Sequence, residues 1–382
     1  MTDSFDVVVV GAGVFGAWTA YQLKLTGRSV ILVDAFGTGH SRASSGGESR
    51  IIRISYGDKA LYSRWAQQSL AQWQAMFGEA RQPLFHKTGV LWLGRDSDDI
   101  FDATLDTLRQ IDADVEVLPR AELDIQFPQF DFETITRGIY EPESGVLLAR
   151  RAVNVVVQQA IRRGIDYRVA AVQSIKSTER VKSVALEDGS RLQADIFVFA
   201  CGAWLPKLFP DELDARLWVT RQEVFFFGVS AGDRRFGPAA MPAWIDFRQG
   251  FYGIPDIEGR GTKIGLDVHG AIFDPDNGDR IPSVSDLDTA RRLLAARIPE
   301  LREAPLLEAR VCQYTNTWDG NLLVDRHPAH DNVWLVGGGS GHGFKLGPAI
   351  GAYVTSHVDG HGTAEPELSY AAKQTTQARA VY

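Results

Sequence analysis

Short apolar runs and amphipathic stretches alternate at both ends of this chain, while its middle has a different texture. Residues 6–10 form a β-branched run read as a buried strand, and 17–25 carry apolar side chains at helical spacing until Gly27 interrupts them. A second run over 29–33 closes at Asp34. Together they make one βαβ unit with parallel strands. An amphipathic helix is expected over 60–77, with Trp65, Leu70 and Trp73 on its apolar side, then a strand over 90–93 and a helix over 98–111. The alternation continues with a helix over 151–163 and a strand over 196–199, which ends at Cys201-Gly-Ala-Trp204. Residues 222–229 (QEVFFFGV) and 251–254 are β-rich, with Gly and Pro between them, as in a mostly antiparallel sheet. A helix over 286–296 precedes a strand over 333–336, a glycine loop over 337–343 and a helix over 346–358 with Pro348 near its start.

Elements of the first kind thus lie at both ends, so a nucleotide-binding domain is expected from discontinuous pieces with a β-rich domain inserted. The segment Gly11-Ala-Gly-Val-Phe-Gly16 sits between the first strand and its helix. In that setting the first glycine makes the tight turn, the second lets backbone approach a pyrophosphate, and the third lets helix pack on strand. The helix N-terminus then offers N–H groups to the phosphates. Asp34, 23 positions after Gly11, is placed to accept both hydroxyls of an adenosine ribose and to repel a 2′-phosphate. The fingerprint does not choose between NAD and FAD.

Composition narrows the field. The 382 residues are 45% hydrophobic and 23% charged, which suits two folded domains and excludes disorder. A formal charge of −8 argues against a nucleic-acid or anionic-membrane partner. No apolar run approaches the ~20 residues that cross a bilayer. Asp3 and Asp6 stand where a signal peptide is basic, and the chain ends Ala380-Val381-Tyr382, without a peroxisomal tripeptide, so the expected compartment is the cytoplasm. Two cysteines, Cys201 and Cys312, make neither a disulfide framework nor a cysteine-built zinc site, and no metal is expected.

Two further patterns choose the cofactor. One is Ser49-Arg-Ile-Ile-Arg-Ile-Ser-Tyr-Gly57; the other runs Cys312-Gln-Tyr-Thr-Asn-Thr-Trp-Asp319, Asp325-Arg-His-Pro328 and Ser340-Gly-His-Gly-Phe-Lys345. With Asp34-Ala-Phe36, Lys87-Thr-Gly-Val90, Ser144-Gly-Val146, Gly202-Ala-Trp204 and Tyr252-Gly253 in order, the chain resembles, over nearly its whole length, the monomeric sarcosine oxidase and N-methyltryptophan oxidase branch of the D-amino-acid-oxidase (glycine oxidase) flavoproteins. The resemblance implies an α/β (α+β two-domain) fold: a Rossmann-type FAD-binding domain over 1–82, 141–216 and 311–382, and a β-rich substrate domain over 83–140 and 217–310. It implies FAD held by Gly11, Gly13, Phe15, Gly16, Asp34, Ser44, Arg50, Gly202, Trp204, Gly341, His342, Gly343 and Lys345. Cys312 matches the cysteine that carries the flavin as an 8α-thioether, with Arg50 beside the flavin; the alternative is a buried structural cysteine. No chemistry is assigned to Cys201.

Arg53 and Lys345 match the pair that clamps the substrate carboxylate, a role that two fixed cations suit, rather than solvated surface charges. Backbone N–H groups of the Gly341-His342-Gly343 loop are expected to face the flavin pyrimidine edge, where negative charge collects on reduction. Lys263 matches the lysine that promotes reaction with oxygen; the alternative is a strand-edge lysine facing water. Tyr252 and Tyr314 fall where the family places aromatic residues around the substrate amine, and each is equally plausible as core.

The chain departs from the family in places. Leu266 and Asp267 follow Lys263-Ile-Gly265 where sarcosine oxidase has a histidine; His269 is too far along to replace it. A cavity-facing Asp267 disfavours a simple sarcosine-like fit. Ser44-Ser45-Gly46-Gly47 replaces a bulkier stretch with a histidine, which bears on the covalent linkage, and Trp318 stands where relatives have proline or leucine.

The expected activity is FAD-dependent oxidation of a secondary amine, an N-alkyl or cyclic amino acid, to an imine that hydrolyses, with oxygen reduced to hydrogen peroxide. Only the neutral amine has a free lone pair, so activity should rise with pH, and no side-chain base is named. The alternatives are a flavin dehydrogenase, an oxidase of sugar-modified amino acids and, in another class, a nucleotide-binding scaffold. As many relatives are monomers, a monomer is expected.

Overall fold

The computed structural model describes residues 2–175 and 180–373; the C-terminal residues Ala380, Val381 and Tyr382 lie outside that set. Its first sheet is built on the βαβ unit. Strands Thr2–Val10 and Val30–Asp34 pair in parallel, and the row continues in parallel to Asp166–Val169 on one side and to Arg191–Phe199 and His330–Gly337 on the other. Leu323–His327 closes one edge as an antiparallel strand.

The continuous apolar runs follow from burial on both faces. Val7, Val9, Val30 and Leu32 join one core, under the helices Val14–Leu25, Ala149–Arg162 and Gly347–Val358; Val8, Val10, Ile31 and Val33 join a second. Burying each such side chain contributes roughly 1.5–3 kcal/mol against the unfolded chain. Arg191–Phe199 begins before the apolar stretch at 196, because its backbone ladder with Thr2–Val10 runs on past the point where the side chains turn mixed.

The second sheet has eight strands, ordered Leu306–Thr317, Leu217–Phe227, Thr262–Leu266, Phe251–Ile254, Ala243–Asp246, Val90–Gly94, Arg137–Glu141 and Glu116–Pro119. All neighbours are antiparallel except Ala243–Asp246 against Val90–Gly94. Phe225, Phe227, Ile264 and Trp244 bury one face beneath the helix Val284–Arg297, whose first turn is capped by the Ser283 hydroxyl at 3.2 Å from the Asp286 N–H. The other face looks toward the first domain. A small sheet of Phe85–His86, Gly145–Leu147 and Arg50–Ile52 joins the two. Strands of two or three residues carry no periodic signal, and the sequence pattern gave no warning of it.

Among the described residues no helix is long and apolar enough to cross a membrane, and no group of three His, Cys, Asp or Glu side chains is gathered to hold a metal.

Candidate active site

The first strand runs into Gly11, whose φ of +102° suits glycine alone; its N–H donates to the Val33 carbonyl at 2.7 Å. A Cβ there would lie 2.4 Å from the Ala200 carbonyl oxygen, and one on Gly16 only 1.8 Å from that of Gly11. Gly13 differs: a Cβ on it meets nothing nearer than the Ser45 hydroxyl at 3.6 Å. The protein itself makes no demand for glycine at that position, and the space in front of it belongs to a cavity of about 420 Å3. Gly11, Gly13, Phe15, Asp34, Ser44, Arg50, Gly202, Trp204, Gly341 and Gly343 all line this cavity. The Asp34 carboxylate is fixed at its rim by the N–H groups of Ala12 at 2.7 Å and Phe36 at 2.8 Å. Trp204 donates its indole N–H to Asp276 at 2.7 Å and packs beside Phe36.

A smaller cavity of about 70 Å3 adjoins it and shares Arg50, Tyr314, Gly341 and Phe344 with it. Arg53, Tyr252, Asp267, Cys312 and Lys345 complete much of its wall. Arg53 and Lys345 are each 5% exposed, which excludes a solvated surface role. The Arg53 guanidinium lies 4.4 Å from the Tyr56 ring centre and 4.8 Å from that of Trp92, and it donates to the Ser55 carbonyl. Beneath it, the buried Glu141 carboxylate accepts from the Ile54 N–H at 2.8 Å, the Ser55 N–H at 3.0 Å, and the hydroxyls of Ser55 and Ser144, both at 2.5 Å. Glu141 thus fixes the segment that carries the arginine. The Lys345 ammonium donates to the Tyr56 hydroxyl and the His342 carbonyl, both at 2.9 Å. Burial, and then Arg53 beside it, holds Lys345 well below the ordinary lysine range.

Lys263 is 2% exposed and sits on a strand paired on both sides, not on an edge. Its ammonium donates to the Ser49 carbonyl at 3.1 Å and lies 5.6 Å from the Tyr252 ring centre. Burial, with Arg50 adding to it, lowers its pKa to about 7. Tyr252 and Tyr314 are half-buried and line the smaller cavity; burial raises both phenols above their ordinary range. The Tyr314 hydroxyl stands 3.5 Å from Asp267. Cys312 is free, partly exposed, and lines the same cavity. Cys201 lines the larger one, its thiol 3.5 Å from the Val10 carbonyl and pushed up by burial.

The glycine loop does not present all the donors expected of it. The N–H groups of His342 and Gly343 both donate to the Gly339 carbonyl at 2.9 Å, because the loop closes a turn there before the next helix. The His342 ring sits 2.9 Å from the Gly320 carbonyl, between Tyr56 and Tyr62. Gly341, at φ +80°, lines both cavities, and a Cβ on it would strike the Tyr314 ring at 2.6 Å. Tyr56 and Glu141 were not anticipated as site residues; Tyr56 lies within the motif that carries Arg53, which was its available signal.

A family profile described as DAO: FAD dependent oxidoreductase matches residues 6–357. The chain belongs to that family. This FAD-dependent oxidoreductase is 32% identical over 376 residues to a monomeric sarcosine oxidase of Bacillus sp. (strain B-0618), covering 97% of this chain and 95% of that one. It is 26% identical over 354 residues to an N-methyl-L-tryptophan oxidase of Yersinia pestis (strain Pestoides F), covering 91% and 93%. Its fold matches that of an L-proline dehydrogenase from P. horikoshii with a TM-score of 0.84 at 20% identity, over 97% and 98% of the two chains. The α/β two-domain reading of the sequence therefore holds. The residues present fit FAD: the open cradle at Gly13, the fixed Asp34 carboxylate and the second glycine loop all border the larger cavity of this oxidoreductase.

Proposed function

We propose that this oxidoreductase oxidises a secondary amine, an N-alkyl or cyclic amino acid, to an imine that water hydrolyses, while dioxygen is reduced to hydrogen peroxide. The amine gives up two electrons and two protons, and dioxygen takes up both. The reading is carried by the buried Arg53 and Lys345 pair on the wall of a small cavity that opens onto the dinucleotide cradle. Two cations in that setting bind a carboxylate and hold the adjacent carbon in one place. FAD, when bound, supplies the two-electron acceptor that side chains lack.

The fingerprint glycines, Asp34, Phe15, Ser44, Gly202 and Trp204 would hold its nucleotide half, and Arg50, Gly341, His342, Gly343 and Lys345 the ring end. Cys312 is the proposed covalent attachment point. Tyr252 and Tyr314 wall the substrate amine. Lys263, an ammonium enclosed beside Ser49, is proposed to stabilise charge developing on oxygen. We further take the enzyme to act as a cytoplasmic monomer, without nucleic-acid or membrane partners.

An amine panel scored by peroxide formation and oxygen uptake tests this. N-methyl and cyclic amino acids should turn over with one peroxide per oxygen consumed, and their esters, which lack the carboxylate, should not. Turnover of primary amines or simple alcohols in preference would overturn the reading, as would substrate oxidation without peroxide.

A further inference from the structure

The smaller cavity contains a negative group that a carboxylate clamp does not require. Asp267 follows the strand Thr262–Leu266, on which Lys263 is buried, and Leu266 and Asp267 both line the cavity. Its backbone N–H is tied to the Gly250 carbonyl at 2.7 Å, which holds the residue in place. Among the described residues its carboxylate has one hydrogen bond, from Tyr314 at 3.5 Å, and no cation within 4 Å. Such a bond is too long to satisfy an ionised oxygen.

The other ionisable groups on the same wall come from five segments. Arg50 and Arg53 come from the arginine motif, Glu223 from the strand Leu217–Phe227, Tyr252 from Phe251–Ile254, Cys312 and Tyr314 from Leu306–Thr317, and His342 and Lys345 from the glycine loop and the turn after it. Glu223 is already occupied, paired with Arg221 at 2.7 Å and accepting the Ser283 N–H at 2.8 Å. Asp267 is therefore the carboxylate left to meet a positive charge in the cavity.

We propose that Asp267 binds the ammonium of the substrate, so that with Arg53 and Lys345 it forms a zwitterion site that selects amino acids over simple carboxylates. This rests on the amine-oxidising reading above and deepens it. In an amino acid the ammonium and carboxylate sit on one carbon, and a cavity of about 70 Å3 lined by two cations and a carboxylate offers a partner to each. Burial raises the Asp267 carboxyl to about 6 against the pull of Arg53 and Lys345, so it is ionised at neutral pH and neutral in mild acid. The consequence for catalysis has a definite sign. An anion beside the bound ammonium favours its protonated form, so Asp267 moves the rise of activity with pH to higher pH. A site lined by cations alone would favour the neutral amine instead.

The test uses the flavin-loaded enzyme and two ligands, N-methyl-L-alanine and isobutyrate, the latter a carboxylate without nitrogen. Binding is read from the visible flavin spectrum, and flavin reduction by the amino acid is followed from pH 6 to 10. D267N should bind the amino acid roughly ten- to a hundred-fold more weakly, bind isobutyrate more tightly, and shift the reduction midpoint down by about one pH unit or more. D267E, which keeps the charge, should restore the wild-type order of affinities. If D267N does not fold, the wild type alone decides: isobutyrate affinity should rise as pH falls through the range where Asp267 takes up its proton. Equal affinities and an unshifted midpoint in D267N, or a flat isobutyrate profile in the wild type, overturn the proposal while leaving the amine reading intact. Failure of every secondary amino acid to reduce the bound flavin at any pH overturns the amine reading itself.

Discussion

The second and third glycines of the fingerprint do different work, and an alanine at each should separate them. At Gly16 the new methyl would lie 1.8 Å from the Gly11 carbonyl, so the helix must move off its strand. Overpacking of that kind costs about 1–3 kcal/mol or more, and the protein should melt lower whether or not FAD is present. At Gly13 the backbone is extended, with φ −72° and ψ −176°, and the methyl has 3.6 Å to its nearest neighbour. Two small terms oppose each other there. Alanine is a poorer N-cap than glycine, and it also lowers the entropy of the unfolded chain by about 0.4–1 kcal/mol. The flavin-free stability of G13A should therefore stay within about 0.5 kcal/mol of the wild type. Its cost falls on the cofactor instead. A methyl in the cradle displaces the pyrophosphate by about 1–3 kcal/mol, or roughly five- to 150-fold in the dissociation constant. Colourless protein from riboflavin-limited cells would be compared by urea melts, then titrated with FAD by fluorescence quenching. If G13A lost stability as G16A does and yet took up FAD normally, the cavity in front of Gly13 would not be the cofactor's.

Other expectations are open to direct measurement. Replacing Lys263 with methionine should leave flavin reduction by substrate nearly unchanged and slow reoxidation by oxygen roughly 100- to 1,000-fold; stopped-flow mixing with aerated buffer reads both steps. Because the Lys263 ammonium loses its proton above about 7, the wild-type oxygen step should slow as pH rises through that value, and a rate rising there would remove the lysine from the step. Arg53→Met should weaken carboxylate binding roughly 10- to 150-fold, measured with an alkanoate, while sparing the binding of its neutral amide. With Cys312→Ala, acid precipitation should leave flavin in the supernatant, whereas wild-type flavin should follow the protein into the pellet; free flavin from both would end the assignment of Cys312.

Local chemistry made much of this legible. The βαβ unit, the end-to-end return of α/β texture and the extended strands of the middle are all written in residue spacing, and each is present. The exposed-lysine alternative for Lys263 could not be settled from the chain, because its burial depends on a second flanking strand, Leu217–Phe227, that ends 36 residues earlier. Glu141 was invisible for the same reason: its partners Ile54 and Ser55 precede it by 87 and 86 residues. The glycine loop taught the reverse lesson. Its composition promised free amide donors, and only the turn closed on the Gly339 carbonyl reveals that two of them are already engaged.

One feature of the fold bears on how molecules come and go. The strand Leu306–Thr317 belongs to the eight-stranded sheet, yet the Thr315 carbonyl accepts the Ser340 N–H at 2.9 Å, and the Thr317 N–H donates to the Ser340 hydroxyl at 3.2 Å. Lys263 reaches across to the Ser49 carbonyl, and Arg310 pairs with Glu48 at 3.0 Å. Riveted along this seam, the two halves have no easy way to swing apart, since doing so would strand buried polar groups. Traffic must then pass by the yielding of individual side chains at the doorway, and the amides of this seam should be among the slowest to exchange with deuterated solvent.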